Sequence, residues 1–141
     1  MYNIIAEDVV IGKGTELKHF IELRKGTVIG KDCYIDSRVS TSGDCQIGDR
    51  VTLRYGAIIA RGVYIGDDVF IAPNVMFINI PFIRKRTRFT VIEKGVKIGT
   101  GSVINDGVRI VKGTIIGALS FVRKDILEPG VYAGNPLRRL R

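Results

Sequence analysis

A large apolar residue recurs at every sixth position along most of this 141-residue chain. Stepping by six from Ile5 to Phe77 reaches thirteen positions, of which all but Thr41 are large and apolar. The same step resumes in a new phase at Ile92 and continues to Val122. An α-helix, whose period is 3.6 residues, cannot keep a six-residue register over such a distance. The repeat therefore excludes a helical protein and requires a structure whose own period is six.

The residues inside each repeat indicate a short β-strand followed by a turn. Two positions before the large apolar residue stands a small or β-branched residue, such as Val9, Thr27 or Val63. Residues two apart in a strand point to the same side, so both members of each pair face inward. Glycine follows isoleucine every 18 residues from Gly12 to Gly66. A turn is expected there, because glycine is the residue that a tight turn accommodates most easily. Three strands and three turns make one triangular coil of 18 residues.

Stacked coils of this kind predict an all-β fold, a parallel β-helix of roughly six to seven coils. Strands of neighbouring coils would pair about 4.8 Å apart and enclose one continuous core. We expect a single domain over 1–141, with coils at 3–78 and 90–124. The register breaks between them, which predicts a protruding loop at 79–89, a favoured place for function. The repeat stops after Val122, so 125–141 is predicted to be a C-terminal tail that folds back or reaches a neighbour.

The positive charge is concentrated in the second part of the chain. Residues 1–83 hold 9 basic and 10 acidic residues, whereas residues 84–141 hold 13 and 4, which together give the net charge of +8. Such an asymmetry indicates that one end binds an anion: a nucleic acid, a membrane surface or a polyphosphate cofactor. The alternative is that these side chains only solvate a loop and a tail.

Several classes of protein are disfavoured by the remaining composition. No apolar run approaches the roughly 18 residues needed to cross a bilayer, and the start does not resemble a signal peptide. We therefore expect a cytoplasmic protein without a membrane partner. Cys33 and Cys45 fall at inward positions, which predicts buried free thiols. A zinc site of three histidines is excluded because His19 is the single histidine, and we expect no metal.

The repeat resembles that of the hexapeptide-repeat acyltransferases, a family with a left-handed parallel β-helix assembled as a homotrimer. The stretch Gly66–Asn79 (GDDVFIAPNVMFIN) is similar to the GDDVF-GP-V-FTN motif of the subgroup that acylates nucleotide-linked amino sugars. His19–Phe20 resembles its WHF-H segment, and Phe121–Asp125 with Val131–Pro136 resembles its VVTKDVP…VGNPAR ending. This chain departs from the subgroup in having Glu22 at the second histidine and a denser basic run at 84–88.

The resemblance implies an enzyme, a coenzyme-A-dependent N-acyltransferase that uses acetyl-CoA. Its acceptor would be the amine of a nucleotide-linked amino sugar used in surface-polysaccharide biosynthesis. The alternatives are acylation of another small amine or hydroxyl, and a non-catalytic anion-binding scaffold. Few aromatic residues lie among the basic ones, which disfavours a nucleic-acid partner.

The resemblance assigns the catalytic position to Asn79, whose amide can stabilise an oxyanion or accept a hydrogen bond from the amine. The alternative is an ordinary turn asparagine. Sixty residues separate His19 from Asn79, which is three coils and one further face, or roughly 16 Å along the axis. His19 is therefore predicted to contact the nucleotide end of the acceptor rather than act as general base, or to be a solvated corner residue.

The remaining candidates are binding residues. Arg54 and Tyr55 could hold a sugar diphosphate, or be a solvated arginine beside a corner tyrosine. By resemblance, Gly117, Ala118, Arg123 and Lys124 contact coenzyme A, with Arg84, Lys85, Arg86 and Arg88 as further candidates. Tyr64 and Phe70 are predicted to point outward beside a cleft between subunits.

Overall fold

The computed structural model describes residues 2–79 and 88–141, and over these ranges it contains 21 short β-strands and no helix. The strands form three sheets, which we call sheets A, B and C. Sheet A consists of β1 (Ile4–Ile5), β4 (Glu22–Leu23), β7 (Ser40–Thr41), β10 (Ile58–Ile59), β13 (Met76–Phe77), β16 (Val103–Ile104) and β19 (Phe121–Val122). Sheet B consists of β2 (Val10–Ile11), β5 (Thr27–Ile29), β8 (Cys45–Ile47), β11 (Val63–Ile65), β14 (Thr90–Ile92) and β17 (Arg109–Ile110). Sheet C consists of β3 (Glu16–Leu17), β6 (Tyr34–Ile35), β9 (Thr52–Leu53), β12 (Phe70–Ile71), β15 (Lys97–Ile98), β18 (Ile115–Ile116), β20 (Val131–Ala133) and β21 (Arg138–Arg139).

Consecutive strands of the chain visit the three sheets in turn, so each coil contributes one strand to every face of a triangular prism. Neighbouring coils pair in parallel with an offset of 18 residues, as between Ser40 and Ile58. The structure is a left-handed parallel β-helix of about seven turns, and the predicted fold class is confirmed. Within the described ranges no helix is available to cross a membrane.

The core is a stack of inward side chains that repeats from coil to coil. Ile35, Leu53, Ile71 and Ile98 succeed one another on sheet C, each with no exposed surface. Thr41, the polar exception to the apolar repeat, is also buried. Its hydroxyl lies 2.7 Å from that of Thr27 on the neighbouring face and accepts a hydrogen bond from the Arg24 N–H. A polar residue is tolerated there because its hydroxyl is satisfied.

The glycines that follow isoleucine are required for a different reason from the one predicted. Gly12, Gly30, Gly48 and Gly66 all lack a positive φ. A Cβ atom on Gly12 would lie 2.5 Å from the carbonyl oxygen of Gly30, and one on Gly30 would lie 2.5 Å from that of Gly48. The absence of a side chain allows the coils to approach each other closely at this corner.

Two departures from the 18-residue register explain where the six-residue step fails. Across residues 80–87 the offset becomes 27, since Val63 pairs with Thr90, so nine residues are inserted into one coil. The segment 79–89 remains a predicted loop, because residues 80–87 lie outside the described ranges. Near the C-terminal end the offset falls to 16, since Ile110 pairs with Ile126. The coil thus continues past the predicted boundary at 124.

The last residues both extend the prism and fold back on it. Strand β20 still pairs in parallel with β18, and β21 then returns antiparallel to β20. Both cysteines are free and buried, as predicted. Burial is the largest cause that raises the pKa of the Cys33 and Cys45 thiols. Both side chains pack in the core.

Candidate functional site

Asn79 lies at the corner of the prism where the chain passes from sheet A to sheet B. Sheet A pairs Ile58 with Met76, Met76 with Val103, and Val103 with Phe121. Each of these four strand residues is followed, three positions later, by a corner residue. The four corner residues are Arg61, Asn79, Asp106 and Lys124. They form one column along the edge, with consecutive members about 4.8 Å apart along the axis. We call this column the Asn79 corner.

The side-chain oxygen of Asn79 is buried, and no group in 2–79 or 88–141 donates a hydrogen bond to it. An asparagine that only stabilises a turn would bond its own backbone. A buried acceptor without a donor costs about 1–3 kcal/mol. The amide oxygen is therefore suited to receive a donor from a ligand, such as an amine N–H.

Asp106, one coil above Asn79, is only 4% exposed. Two other members of the column, Arg61 and Lys124, are exposed. Sequence reasoning missed this residue because an aspartate at a coil corner is ordinary and no motif marks it. The position within the repeat could have indicated it. Asp106 lies two positions after inward Ile104, just as Asn79 lies two positions after inward Phe77.

A surface depression of about 460 Å³ opens at the upper part of this corner. Its lining residues are Arg88, Asn105, Asp106, Val108, Arg123, Lys124 and Asp125. Arg88 is ion-paired with Asp125 at 3.0 Å, and the same carboxylate accepts a hydrogen bond from the Arg109 N–H. Arg123 and Lys124 are exposed. The depression thus presents cationic side chains around a buried carboxyl group.

The four predicted cofactor residues do not lie together. Ala118 belongs to the corner between sheets C and A, whereas Lys124 belongs to the Asn79 corner at the opposite edge of sheet A. The backbone of Gly117 is already engaged: its N–H donates to Tyr132, and its carbonyl accepts from the hydroxyls of Ser102 and Ser120. Ala118 is exposed. Arg84, Lys85 and Arg86 lie outside the described residues.

The predicted acceptor residues share the corner between sheets C and A. His19, Ser37 and Tyr55 are stacked there, since Arg38 N–H donates to the His19 carbonyl and Gly56 N–H donates to that of Ser37. His19 and Tyr55 are exposed. The Arg54 guanidinium is ion-paired with Asp36 at 3.2 Å, so its charge is partly neutralised within the chain.

His19 and Asn79 are far apart in the structure. His19 precedes β4 and Asn79 follows β13, which are three strand steps apart in sheet A, about 14 Å. They also lie at opposite edges of that sheet. The two outward aromatic residues of the sequence prediction are separated as well: Tyr64 lies on sheet B, stacked 4.8 Å from Phe89, and Phe70 lies on sheet C.

Known proteins match both the repeat and the fold. The family model described as bacterial transferase hexapeptide (six repeats) matches residues 26–61. The bifunctional protein GlmU of Koribacter versatilis is 32% identical over 154 aligned residues, covering 86% of this chain and 31% of that protein. GlmU of Listeria welshimeri is 44% identical over 66 residues, covering 47% of this chain and 14% of that protein. The chain thus spans about a third or less of the length of these relatives.

Three solved structures with the same fold contain coenzyme A or acetyl coenzyme A. PerB from Caulobacter crescentus, in complex with CoA and GDP-perosamine, has a TM-score of 0.73 and 17% identity, covering 99% of this chain and 54% of that one. The acetyltransferase domain of PglB from Neisseria gonorrhoeae, in complex with acetyl coenzyme A, has a TM-score of 0.72 and 20% identity. The match covers 98% of this chain and 57% of the PglB chain. AntD, an N-acyltransferase from Bacillus cereus in complex with dTDP and coenzyme A, has a TM-score of 0.78 and 21% identity. The match covers 94% of this chain and 82% of the AntD chain. The chain is a hexapeptide-repeat protein of the left-handed β-helix fold.

Proposed function

We propose that this chain is an acyl-CoA-dependent N-acyltransferase that transfers acetyl from acetyl-CoA to the amine of a nucleotide-linked amino sugar. The observation that carries the proposal is the buried, unpartnered oxygen of Asn79 beside a cationic depression. PerB, PglB and AntD were each solved with coenzyme A or acetyl coenzyme A, and PerB also with a nucleotide sugar. The reaction would serve surface-polysaccharide biosynthesis in the cytoplasm.

Asn79 would orient both reactants at the transfer point. Its Oδ1 accepts a hydrogen bond from the attacking amine, and its Nδ2 can donate to the oxygen on which negative charge develops. An amide performs both tasks without changing its own charge. Asn79 lies two residues beyond the strand Met76–Phe77, which is paired with the coils on both sides and so positions this corner.

Coenzyme A would lie across the last coil of sheet A. Ala118, Phe121 and Lys124 follow one another across this face, and the six residue steps from Ala118 to Lys124 span at most about 20 Å. The backbone of Ala118, an exposed residue, would pair with the amide-bearing arm of the ligand. Arg123 and Lys124 would bind its phosphates, so its thioester end would lie at the Ala118 edge and meet the Asn79 corner of a neighbouring copy. Gly117 would act through its lack of a side chain, since its backbone groups are occupied.

The acceptor nucleotide would contact His19, Arg54 and Tyr55 at the other edge of the sheet. Because Asn79 lies across sheet A from them, one chain would supply these residues and a neighbouring copy the transfer point. This arrangement requires an oligomer, which we propose to be the homotrimer.

The proposed trimer predicts a molecular mass three times 15.6 kDa in solution. The outward side of sheet A carries an apolar row of Ile58, Met76, Val103 and Phe121 in consecutive coils, a surface suited to contact between copies. Static light scattering at micromolar concentration measures the mass directly. A stable species of 15.6 kDa would contradict both the trimer and the shared site.

The proposed activity predicts saturable release of free thiol when acetyl-CoA and a suitable nucleotide-linked amino sugar are both present. A thiol-reactive chromophore reports the release, and mass spectrometry identifies the acetylated product. The matched control is the same sugar already N-acetylated, which has no amine to attack the thioester. If a panel of amino sugars, simple amines and hydroxyl acceptors produced no release, the non-catalytic anion-binding scaffold would be favoured instead.

A further inference from the structure

The residue two positions before each of the seven strands of sheet A has a left-handed backbone conformation with a positive φ. This conformation favours glycine, which has no Cβ atom, and to a lesser degree asparagine. Gly56, Asn74 and Gly101 follow that rule, whereas bulky side chains occupy the other positions of the column: Tyr2, Phe20, Arg38 and Leu119. Bulky residues in this conformation cost free energy, and such strained positions cluster at ligand-binding and catalytic sites.

Three of the bulky residues, Tyr2, Phe20 and Arg38, form a continuous stack near the N-terminal end of the prism, which we call the aromatic ladder. The rings of Tyr2 and Phe20 are stacked, with their centroids 6.0 Å apart and their planes at 21°. The Arg38 guanidinium lies over the Phe20 ring, 5.2 Å from its centroid. Tyr2 is 82% exposed and Phe20 is 51% exposed. The ladder therefore presents aromatic surface and a cation next to each other.

A planar heterocycle attached to phosphates suits this combination of side chains. Nucleobases stack on exposed aromatic rings, because every base has a π-face. A guanidinium binds phosphate oxygens by charge-assisted hydrogen bonds, and its contact with an aromatic ring leaves its charge in place. An apolar partner would cover the rings at the cost of desolvating the arginine. The aromatic ladder thus fits a nucleoside diphosphate better than an apolar surface.

Residues succeed one another along the prism in the order of the parts of a nucleotide-linked amino sugar. Phe20 precedes β4, and Arg38 precedes β7. Arg54 and Tyr55 precede β10, and Asn79 follows β13. These four strands are consecutive neighbours in sheet A, about 4.8 Å apart. From its base, the acceptor continues through the diphosphate to the sugar and its amine, so a base at Phe20 directs the amine towards the level of Asn79.

Coenzyme A also contains a nucleoside diphosphate, but its proposed position is distant from the aromatic ladder. Ala118 precedes β19, which is five strand steps from β4 in sheet A, or about 24 Å. The acceptor would therefore reach Asn79 of a neighbouring copy from the N-terminal side of the prism, and coenzyme A from the C-terminal side.

We propose, on the basis of the function proposed above, that the aromatic ladder binds the nucleobase of the acceptor and that Arg38 binds its diphosphate. The amino sugar then extends along the corner past Arg54 and Tyr55. Recognition of the acceptor depends on its nucleotide as well as on its amine, so a free amino sugar is a poor substrate. The ladder positions the acceptor and does not touch the reacting atoms.

The test measures the binding of UDP, dTDP, GDP and inorganic pyrophosphate to the full chain by calorimetry, which does not depend on acyl transfer. We expect at least one nucleoside diphosphate to bind wild type more tightly than pyrophosphate does. Phe20→Gly removes the central ring at a position whose backbone suits glycine, so the fold should be kept. The affinity for that nucleotide should fall about 10- to 100-fold, as expected for loss of one base-stacking contact. The affinity for coenzyme A, bound far from the ladder, should change by less than about threefold.

Two further variants separate stacking from a change of backbone. Phe20→Tyr keeps the aromatic face and should bind the nucleotide within about threefold of wild type. Asp32→Gly is the matched control, because Asp32 is exposed, also has a positive φ and lies at the corner between sheets B and C. This control should leave every affinity unchanged. Melting curves and light scattering verify the fold and the oligomeric state of each variant.

The proposal is overturned if no nucleoside diphosphate binds more tightly than pyrophosphate, or if Phe20→Gly binds nucleotides as wild type does. It is also overturned if Phe20→Gly dissociates the oligomer, since the ladder would then be a contact between copies, or if coenzyme A binding weakens equally. If nucleotide binding depends on Phe20 but the protein transfers no acetyl group to any acceptor, the nucleotide site is supported and the proposed function is contradicted.

Discussion

Replacing Asn79 by alanine should lower kcat by about 10²-fold or more, because the amide that binds the developing oxyanion is lost. The Michaelis constants for both substrates should change much less, since the interaction is made mainly in the transition state. The thiol-release assay under saturating substrates measures the effect. The amide oxygen of Asn79 is buried and lacks a hydrogen-bond partner among the described residues, which destabilises the folded state. Replacement by alanine removes this buried acceptor and its unfavourable free energy. The melting temperature should therefore not fall.

The matched variant is His19→Asn. His19 is exposed and lies three strand steps from Asn79, so this change should leave kcat within a few-fold of wild type and at most weaken acceptor binding. If His19→Asn abolished turnover in a folded oligomer while Asn79→Ala remained near wild type, the transfer point would have to be placed at the other edge of sheet A.

The fold could be predicted from the sequence because its stabilising interactions repeat. Each coil buries the same column of side chains, so the period of the sequence equals the period of the structure. The insertion between Phe77 and Thr90 was visible as a change of phase. The continuation past Val122 was not, because the C-terminal coil is two residues shorter and its inward residue, Ile126, falls out of step.

The arrangement of the site was less accessible to sequence reasoning. The resemblance pointed to Asn79, but a repeat in which every corner tolerates polar residues does not say which corner residue is buried. Asp106 and Lys124 occupy equivalent positions, yet one is 4% exposed and the other is exposed. Burial at a corner depends on the chain that surrounds it, which the six-residue pattern does not encode.

The separation of the predicted cofactor residues could, in contrast, have been predicted from their spacing in the sequence. Ala118 and Lys124 are six residues apart, which is one full face of the prism. The resemblance grouped these residues, although the periodicity that established the fold already placed them at different corners. In a β-helix, residues 18 apart are neighbours at one corner and residues six apart lie at different corners.

The second large effect concerns the core on which this geometry depends. Ile71 lies between Leu53 and Ile98 in the inward column of sheet C and has no exposed surface. Ile71→Ala removes buried methylene and methyl groups in a coil that cannot collapse around the gap, because its backbone is paired with coils on both sides. We expect a loss of about 2–5 kcal/mol in the free energy of unfolding, a large part of the total for a domain of this size.

Ile115 provides the control because it is the same residue type on the same sheet but points outward, with 40% of its surface exposed. Ile115→Ala should cost less than about 1 kcal/mol. Urea denaturation of both variants and wild type at one protein concentration measures the difference, the fixed concentration being needed because the stability of an oligomer depends on it. Equal losses in the two variants would mean that inward and outward residues of sheet C are buried alike. Stability would then come from contacts between copies rather than from the interior of the prism.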